Sequence, residues 1–357
     1  MNNSTNTNFT VVGGGTGGSK TDWSWEVFRL GSSAIAIFGI IGNFFVIFLM
    51  LRSPVRRVRI PNMLIINQSF LDIVTSIFIV IDKLGVNGDK TDEVTGIVLK
   101  ETYCRLWKSQ GILWSSMTGS TFNLCVISFE RYLAIVWPFK HGRLVTKGRI
   151  KMCIIFTWLL GFTIKLSSII PVHEVDENVD ICRGWVNWPS LEVQQFVGIF
   201  IIFIEYLNPL IFMIYCYAHM MLRIIRQTDS ATKGVKGEGS GNKSSEERER
   251  RMQRAGRNLF KTLLIVAIAF VICNSPSQIY FLLLNGGVKL KLGALYRFFT
   301  MTYFINAVIN PILYTVQYEE FQKELKKLFC PKALTRDDSE TENSKSSSYV
   351  TNQTKIN

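Results

Sequence analysis

The residues able to do chemistry in this chain are few, and they sit in apolar surroundings. Asp72 closes the run NQSFLD. Ser116, Ser120 and Asn123 are spaced four and three apart, so a helix would put them on one face. Asn306, Asn310 and Tyr314, spaced four and four, make a second polar stripe. One carboxylate beside several hydroxyl or amide oxygens is a donor set suited to a sodium ion, here expected from Asp72, Ser120, Asn306 and Asn310. The competing reading is that these groups are polar glue between helices. A second constellation, Glu130-Arg131-Tyr132, ends an apolar stretch, where an arginine is stable only when paired or wet. Enzyme chemistry has little to stand on. The three histidines (141, 173 and 219) are too dispersed for a multi-His metal site, and the seven cysteines form no CxxC pair.

The elements that must position these residues are membrane spans. Of 357 residues 48% are hydrophobic and only 19% charged, well short of the charge of a soluble domain. Seven segments have the length of apolar chain that crosses a bilayer. They run from about Phe28 to Leu51, Pro61 to Lys83, Thr102 to Val136, Ile150 to Pro171, Glu192 to Ile225, Leu259 to Leu284 and Leu292 to Val316. The third is the most polar and would be missed by hydropathy alone. The expected fold class is an all-α membrane protein: a seven-transmembrane helix bundle over residues 28–316 with a short amphipathic eighth helix at 317–330. In that eighth helix Phe321, Leu325, Leu328 and Phe329 share one face, which suits the membrane surface and contact with membrane lipids. Cys330 at its end is a palmitoylation candidate.

Charge sets the orientation. The chain carries +13, and most of its 40 Lys and Arg fall in the segments that would be cytoplasmic if the N-terminus lies outside. These basic residues sit between apolar spans rather than on one exposed face, so nucleic acid is not an expected partner. Residues 1–27 read as an extracellular tail with N-glycosylation acceptors at Asn2, Asn3 and Asn8; residues 331–357 read as a disordered, Ser/Thr-rich cytoplasmic tail. A multi-pass protein of the plasma membrane follows as the expected localisation.

The motifs in order are GN-x-x-V at Gly42, NQSFLD, ERY at Glu130, Trp158, Pro209, Pro276 and NPILY at Asn310. Together they resemble the rhodopsin-like (class A) G-protein-coupled receptors over roughly residues 28 to 330. The resemblance implies a receptor that turns an extracellular ligand into activation of a heterotrimeric G protein, with arrestin and receptor kinases acting on the Ser/Thr-rich tail. It implies a switch in which Glu130 holds Arg131 until activation, with Tyr132, Tyr217, Asn310, Pro311 and Tyr314 taking part, and Phe321 packing beneath the NPILY segment. It implies a disulfide between Cys104 and Cys182, while Cys125, Cys153, Cys216 and Cys273 read as apolar packing residues.

The sequence also departs from that pattern. NQSFLD replaces the commoner L-A-x-A-D, Asn274 stands where a tryptophan is usual, and Gly256 where some receptors carry an acid. Cys104 to Arg131 is two residues longer than usual, so the outer third helix should bulge or begin differently. Leu113 occupies the position of the amine receptors' aspartate, and Phe304 that of the opsins' retinal lysine. The acids of HEVDENVD (173–180), with Asp92, Glu93 and Glu101, form an acidic rim suited to a cationic ligand, best a peptide. Ligand candidates are Asp82, Gln110, Trp114, Glu205, Gln278 and Tyr303. Lys165 either pairs with Glu205 or leaves it to the ligand. A non-peptide ligand is the nearest alternative; a transporter or channel would more often show repeats or broken helix pairs, and none is evident.

Overall fold

The computed structural model describes residues 23–52, 59–84, 96–176, 181–184, 188–234, 243–286, 288 and 293–317, with Phe321, Gln322, Leu325, Lys326 and Leu328 beyond them; of 227–234, 243–259, Ile181, Thr262 and Leu263 only the backbone is described. Seven long helices run in order. They are the first (Trp23–Arg52), second (Ile60–Leu84), third (Gly111–Val136), fourth (Lys147–Ile169), fifth (Leu191–Ile202 continuing through Asn208–Gly234), sixth (Lys243–Asn285) and seventh (Ala294–Gln317). Six of them are long and apolar enough to cross a membrane; the third is not, because serines, threonines and Asn123 line its buried side. Its place between the second, fourth and fifth helices makes it the central column of the bundle.

The first helix starts at Trp23, so the expected N-terminal tail is shorter than residues 1–27 by one helical turn and more. Asn2, Asn3, Asn8, Cys330 and residues 331–357 lie outside the described residues. The segment after the seventh helix is partly described. Phe321 is buried against Phe45 of the first helix, Leu325 and Leu328 pack beside it, and Lys326 is exposed, as an amphipathic helix requires. Between the third and fourth helices, expected to be a loop, Pro138–Leu144 forms a short helix with proline in its first turn.

The distribution of side chains is inverted relative to a soluble protein. Phe38, Phe44, Phe156, Leu159, Phe196 and Ile272 are exposed, whereas Asn43, Gln68, Asp72, Ser116, Asn123 and Asn310 are buried. Lipid accepts the outer surface at no cost, and polar groups must find one another within the bundle. Where the third and fourth helices cross, backbone meets backbone. A Cβ at Gly161 would lie 2.6 Å from the Ser115 carbonyl oxygen and 2.8 Å from the Gly119 nitrogen, so only glycine fits there.

Two π turns interrupt the helices. Phe203–Leu207 precedes Pro209, whose ring nitrogen can give no hydrogen bond back to the preceding turn. Tyr103–Lys108 follows a short helix (Ile97–Thr102) and ends at Gln110, which has φ 55°. The third helix therefore does not run unbroken from Thr102. Its two extra residues are absorbed by the π turn and a left-handed break.

Over this outer end lies a two-stranded hairpin, β1 (Glu174–Asp176) antiparallel to β2 (Ile181–Arg183), with Val175 opposite Cys182. A disulfide joins Cys182 to Cys104. Glu101 accepts the Val175 N–H at 3.1 Å and the Arg105 guanidinium at 2.6 Å. Partial burial disfavours its ionisation, yet those bonds hold its carboxyl below the usual range. Burial likewise keeps the His173 imidazole below the ordinary histidine range, in spite of its contact with the Ile169 carbonyl.

Two outcomes are expected. Gly161→Ala should destabilise the bundle by about 1–3 kcal/mol, since backbone must move aside; an unchanged thermal midpoint of the purified chain would contradict the packing. Both depressed groups, Glu101 beneath the hairpin and His173 at its start, favour their deprotonated forms in the fold. Their contribution is full above the ordinary range of each and fades as pH falls through the lowered values. The protection factor of the Val175 amide should therefore fall on acidification, and a pH-independent protection factor would count against it.

Candidate functional site

The polar interior is organised around Asp72. Among the described residues its carboxylate accepts side-chain hydrogen bonds from Ser120 at 3.1 Å, from Asn310 at 2.9 Å and, more loosely, from the Gln68 amide at 3.4 and 3.5 Å. The second, third and seventh helices thus meet at one buried charge. Asn306 is buried one turn before Asn310. Gln68 also donates to Ser120 and accepts from Asn123 at 2.8 Å. Asn123 gives its other amide hydrogen to the Leu64 carbonyl at 3.1 Å and accepts from Asn67 at 2.9 Å; Asn67 in turn accepts the Trp158 indole N–H at 3.0 Å. A continuous relay therefore runs from the fourth helix to the seventh. Beside it Thr75 and Ser116 share a hydrogen bond at 2.8 Å, and Asn43 ties the first helix to the Ala307 carbonyl at 2.7 Å.

The inner end of the third helix holds a second site. Arg131 makes a two-pronged pair with Glu130, one prong at 2.6 Å, and the His141 ring nitrogen lies 2.9 Å from the same carboxylate. Glu130 is 2% exposed and the arginine 13%, so this pair is largely dry. Tyr132 faces away, its ring 6.2 Å from that of Tyr215 and 6.1 Å from that of His219 on the fifth helix. The Ser128 hydroxyl donates to Tyr217 at 3.3 Å, and Tyr217, Phe260, Tyr314 and Phe321 belong to one apolar cluster below the relay. Pro311 lies within the seventh helix beside Asn310. On the sixth helix Asn274 turns back to the Phe270 carbonyl at 2.6 Å, while Tyr206 of the fifth helix bonds Ser275.

A model of the family described as 7 transmembrane receptor (rhodopsin family) matches residues 42–314. The chain belongs to that family. Among curated relatives, human lysophosphatidic acid receptor 3 is 27% identical over 239 residues, covering 66% of this chain and 62% of its own length. Octopamine receptor beta-2R of Chilo suppressalis is 26% identical over 327 residues, 82% of this chain and 76% of its own. Mouse galanin receptor type 1 is 26% identical over 301 residues, 82% and 78%. The chain spans about three fifths of the length of the lysophosphatidic acid receptors it matches.

In this rhodopsin-family chain the outer candidates separate into two places. Asp82 and Gln110 line a cleft between the second and third helices with Phe78, Trp107 and Leu113, and Asp82 is paired with Lys83 at 2.6 Å. Glu205 lies deeper. It is paired with Lys165 at 2.6 Å and receives the Thr118 hydroxyl at 3.3 Å. Tyr303 is hydrogen-bonded to Gln278 and stands 6.1 Å, ring to ring, from Trp114. Of the two alternatives for Lys165, the pair with Glu205 is the one formed. Two acids of the rim are paired, Glu101 with Arg105 and Asp176 with Arg183; residues 177–180, Asp92 and Glu93 lie outside the described residues.

Three participants escaped the sequence reading. Gln68 and Asn67 could have been found, since Gln68 stands one helical turn before Asp72 and Asn67 is adjacent. His141 carried no such signal, because the short helix that returns it to Glu130 is a tertiary fact. Removing a charge from this dry pair leaves Arg131 unmatched. Glu130→Gln should therefore lower the thermal midpoint of the purified chain by more than His141→Ala does; equal midpoints for the two variants would contradict the assignment.

Proposed function

We propose that this chain is a plasma-membrane receptor, N-terminus outside and C-terminus cytoplasmic, that couples an extracellular peptide to nucleotide exchange on a heterotrimeric G protein. The supporting observation is that the bundle's two ends are built differently, with the polar relay packed within the bundle. At one end a disulfide-tethered hairpin overlies the Glu205–Lys165 and Gln278–Tyr303 groups. At the other, Arg131 is held by Glu130 above the Tyr217–Tyr314 cluster. A disulfide belongs in an oxidising compartment, which favours the hairpin end as the outside.

The mechanism follows from which contacts a ligand can reverse. An agonist shifts an existing equilibrium only by binding one conformation better than another. Glu205 and Lys165 present an acid and a base side by side, so a peptide offering a basic group and a carboxyl or amide can replace each partner. That exchange draws on the third, fourth and fifth helices together, and Pro276 and Pro311 supply the points at which the sixth and seventh can bend. Arg131, once freed, presents a planar fork of donors suited to the carbonyls at the end of an inserted helix. Receptor kinases and arrestin are the expected readers of residues 331–357.

The names of the relatives point to unlike ligands: lysophosphatidic acid, octopamine and galanin. Leu113 is buried and apolar where the amine receptors carry an acid, which disfavours an amine. The test is GTPγS exchange in membranes of cells expressing the chain, with a peptide library set against panels of lysophospholipids and amines. A peptide should activate the wild type, Glu205→Gln should weaken that peptide at least tenfold, and Arg131→Ala should abolish exchange with surface expression retained. Activation by a lysophospholipid or amine alone would overturn the peptide assignment; exchange undiminished in Arg131→Ala would overturn the switch.

A further inference from the structure

We infer that the side-chain amide of Gln68 takes the place of a cation at Asp72, so that this receptor's buried carboxylate binds no sodium ion. The oxygens of Asp72, Ser120 and Asn310 are of the right type for sodium, but Ser120 Oγ already bonds Asp72 at 3.1 Å and the Gln68 amide nitrogen lies against both groups. Gln68 Nε2 has two hydrogens: one goes to Ser120 Oγ and the other is shared by the two carboxylate oxygens. A sodium ion bound to Asp72 and Ser120 would face those hydrogens, and Ser120 would have to turn to it the lone pair that now accepts from Gln68.

The orientation of that amide is not a free choice. Trp158 Nε1–H can only donate, so Asn67 Oδ1 must accept from it and Asn67 Nδ2 must donate onward to Asn123 Oδ1. The Leu64 carbonyl can only accept, which independently fixes Asn123 Nδ2 as the donor on its other side. Asn123 Nδ2 therefore also donates to Gln68 Oε1, and Gln68 is left presenting Nε2 to the acid. Reversing Gln68 would set two amide nitrogens against each other inside the bundle. An unsatisfied donor there costs as much as an ordinary hydrogen bond contributes, or more. Trp158, Asn67 and Asn123 are thus positioning residues. Meanwhile Asn310 Oδ1 has no hydrogen-bond partner among the described residues, so it is the oxygen ready to serve a cation once Gln68 withdraws.

The test needs no agonist. Thermal unfolding of the purified full-length chain is followed in about 0.15 M sodium chloride and in the same concentration of choline chloride, a cation too large to enter, at equal ionic strength. The wild type should show the same midpoint in both. Gln68→Leu, which keeps volume and removes the donor, should gain a sodium-specific rise of a few degrees that saturates with concentration. Asn123→Ala keeps Gln68 but releases its amide to turn, and it should gain a smaller rise; it serves as the second variant if Gln68→Leu does not fold. A sodium-specific rise in the wild type overturns the inference. A flat response in the wild type and in every variant that folds overturns the assignment of the exclusion to Gln68. Asp72→Asn in the Gln68→Leu background should abolish the gained response, and persistence of the rise there places the ion elsewhere and also overturns it.

Discussion

The structure depends on one constraint: a polar group inside a lipid-embedded bundle has no water to turn to and must be met by another part of the chain. Asp72 is the strongest case. Its charge is buried on the second helix, so the third and seventh helices must bring Ser120 and Asn310 to it. The positions of three helices are thereby tied to one carboxylate. The amide relay extends the same logic to the fourth helix, because the Trp158 indole needs an acceptor and Asn67 is the one within reach. Apolar packing between helices would leave them free to slide, since lipid tails are as good a neighbour as leucine. Hydrogen bonds with direction hold them in register.

The same constraint acts at the Arg131 end of the third helix. Arg131 pairs with Glu130, and His141 meets the same carboxylate, so the three side chains form a small polar pocket. Nothing in that pocket is covalent, and its partners lie on the third helix and on the short helix beyond it. Asn274, folded back on the Phe270 carbonyl, leaves Phe270 and Tyr206 as the bulky groups between the relay and the outer half, with rings 6.2 Å apart.

At the outer end the balance is different. Among the described residues, two acids of the expected rim and two of the ligand candidates are matched to bases: Glu101 to Arg105, Asp176 to Arg183, Asp82 to Lys83 and Glu205 to Lys165. The outer cleft and the deeper ion pair are separate features, joined through the third helix.

Much of the fold was legible in the sequence because lipid imposes a simple rule, a run of apolar residues long enough to cross it. Six spans obey that rule openly, and the polar third was found from its length and from the loops around it. The stripes at Ser116–Ser120–Asn123 and Asn306–Asn310–Tyr314 were readable because helical spacing alone decides which residues share a face. The anomalous interval from Cys104 to Arg131 was visible as a count, but only the backbone showed it as a π turn and a left-handed Gln110. Sequence spacing stops at the edge of one helix. Which amide nitrogen faces Asp72 is decided by Trp158 and by the Leu64 carbonyl, and His141 returns to Glu130 by way of a turn that no periodicity encodes. The helix axis fixes neighbours three and four residues apart. The direction of a hydrogen bond between helices is set only when they pack.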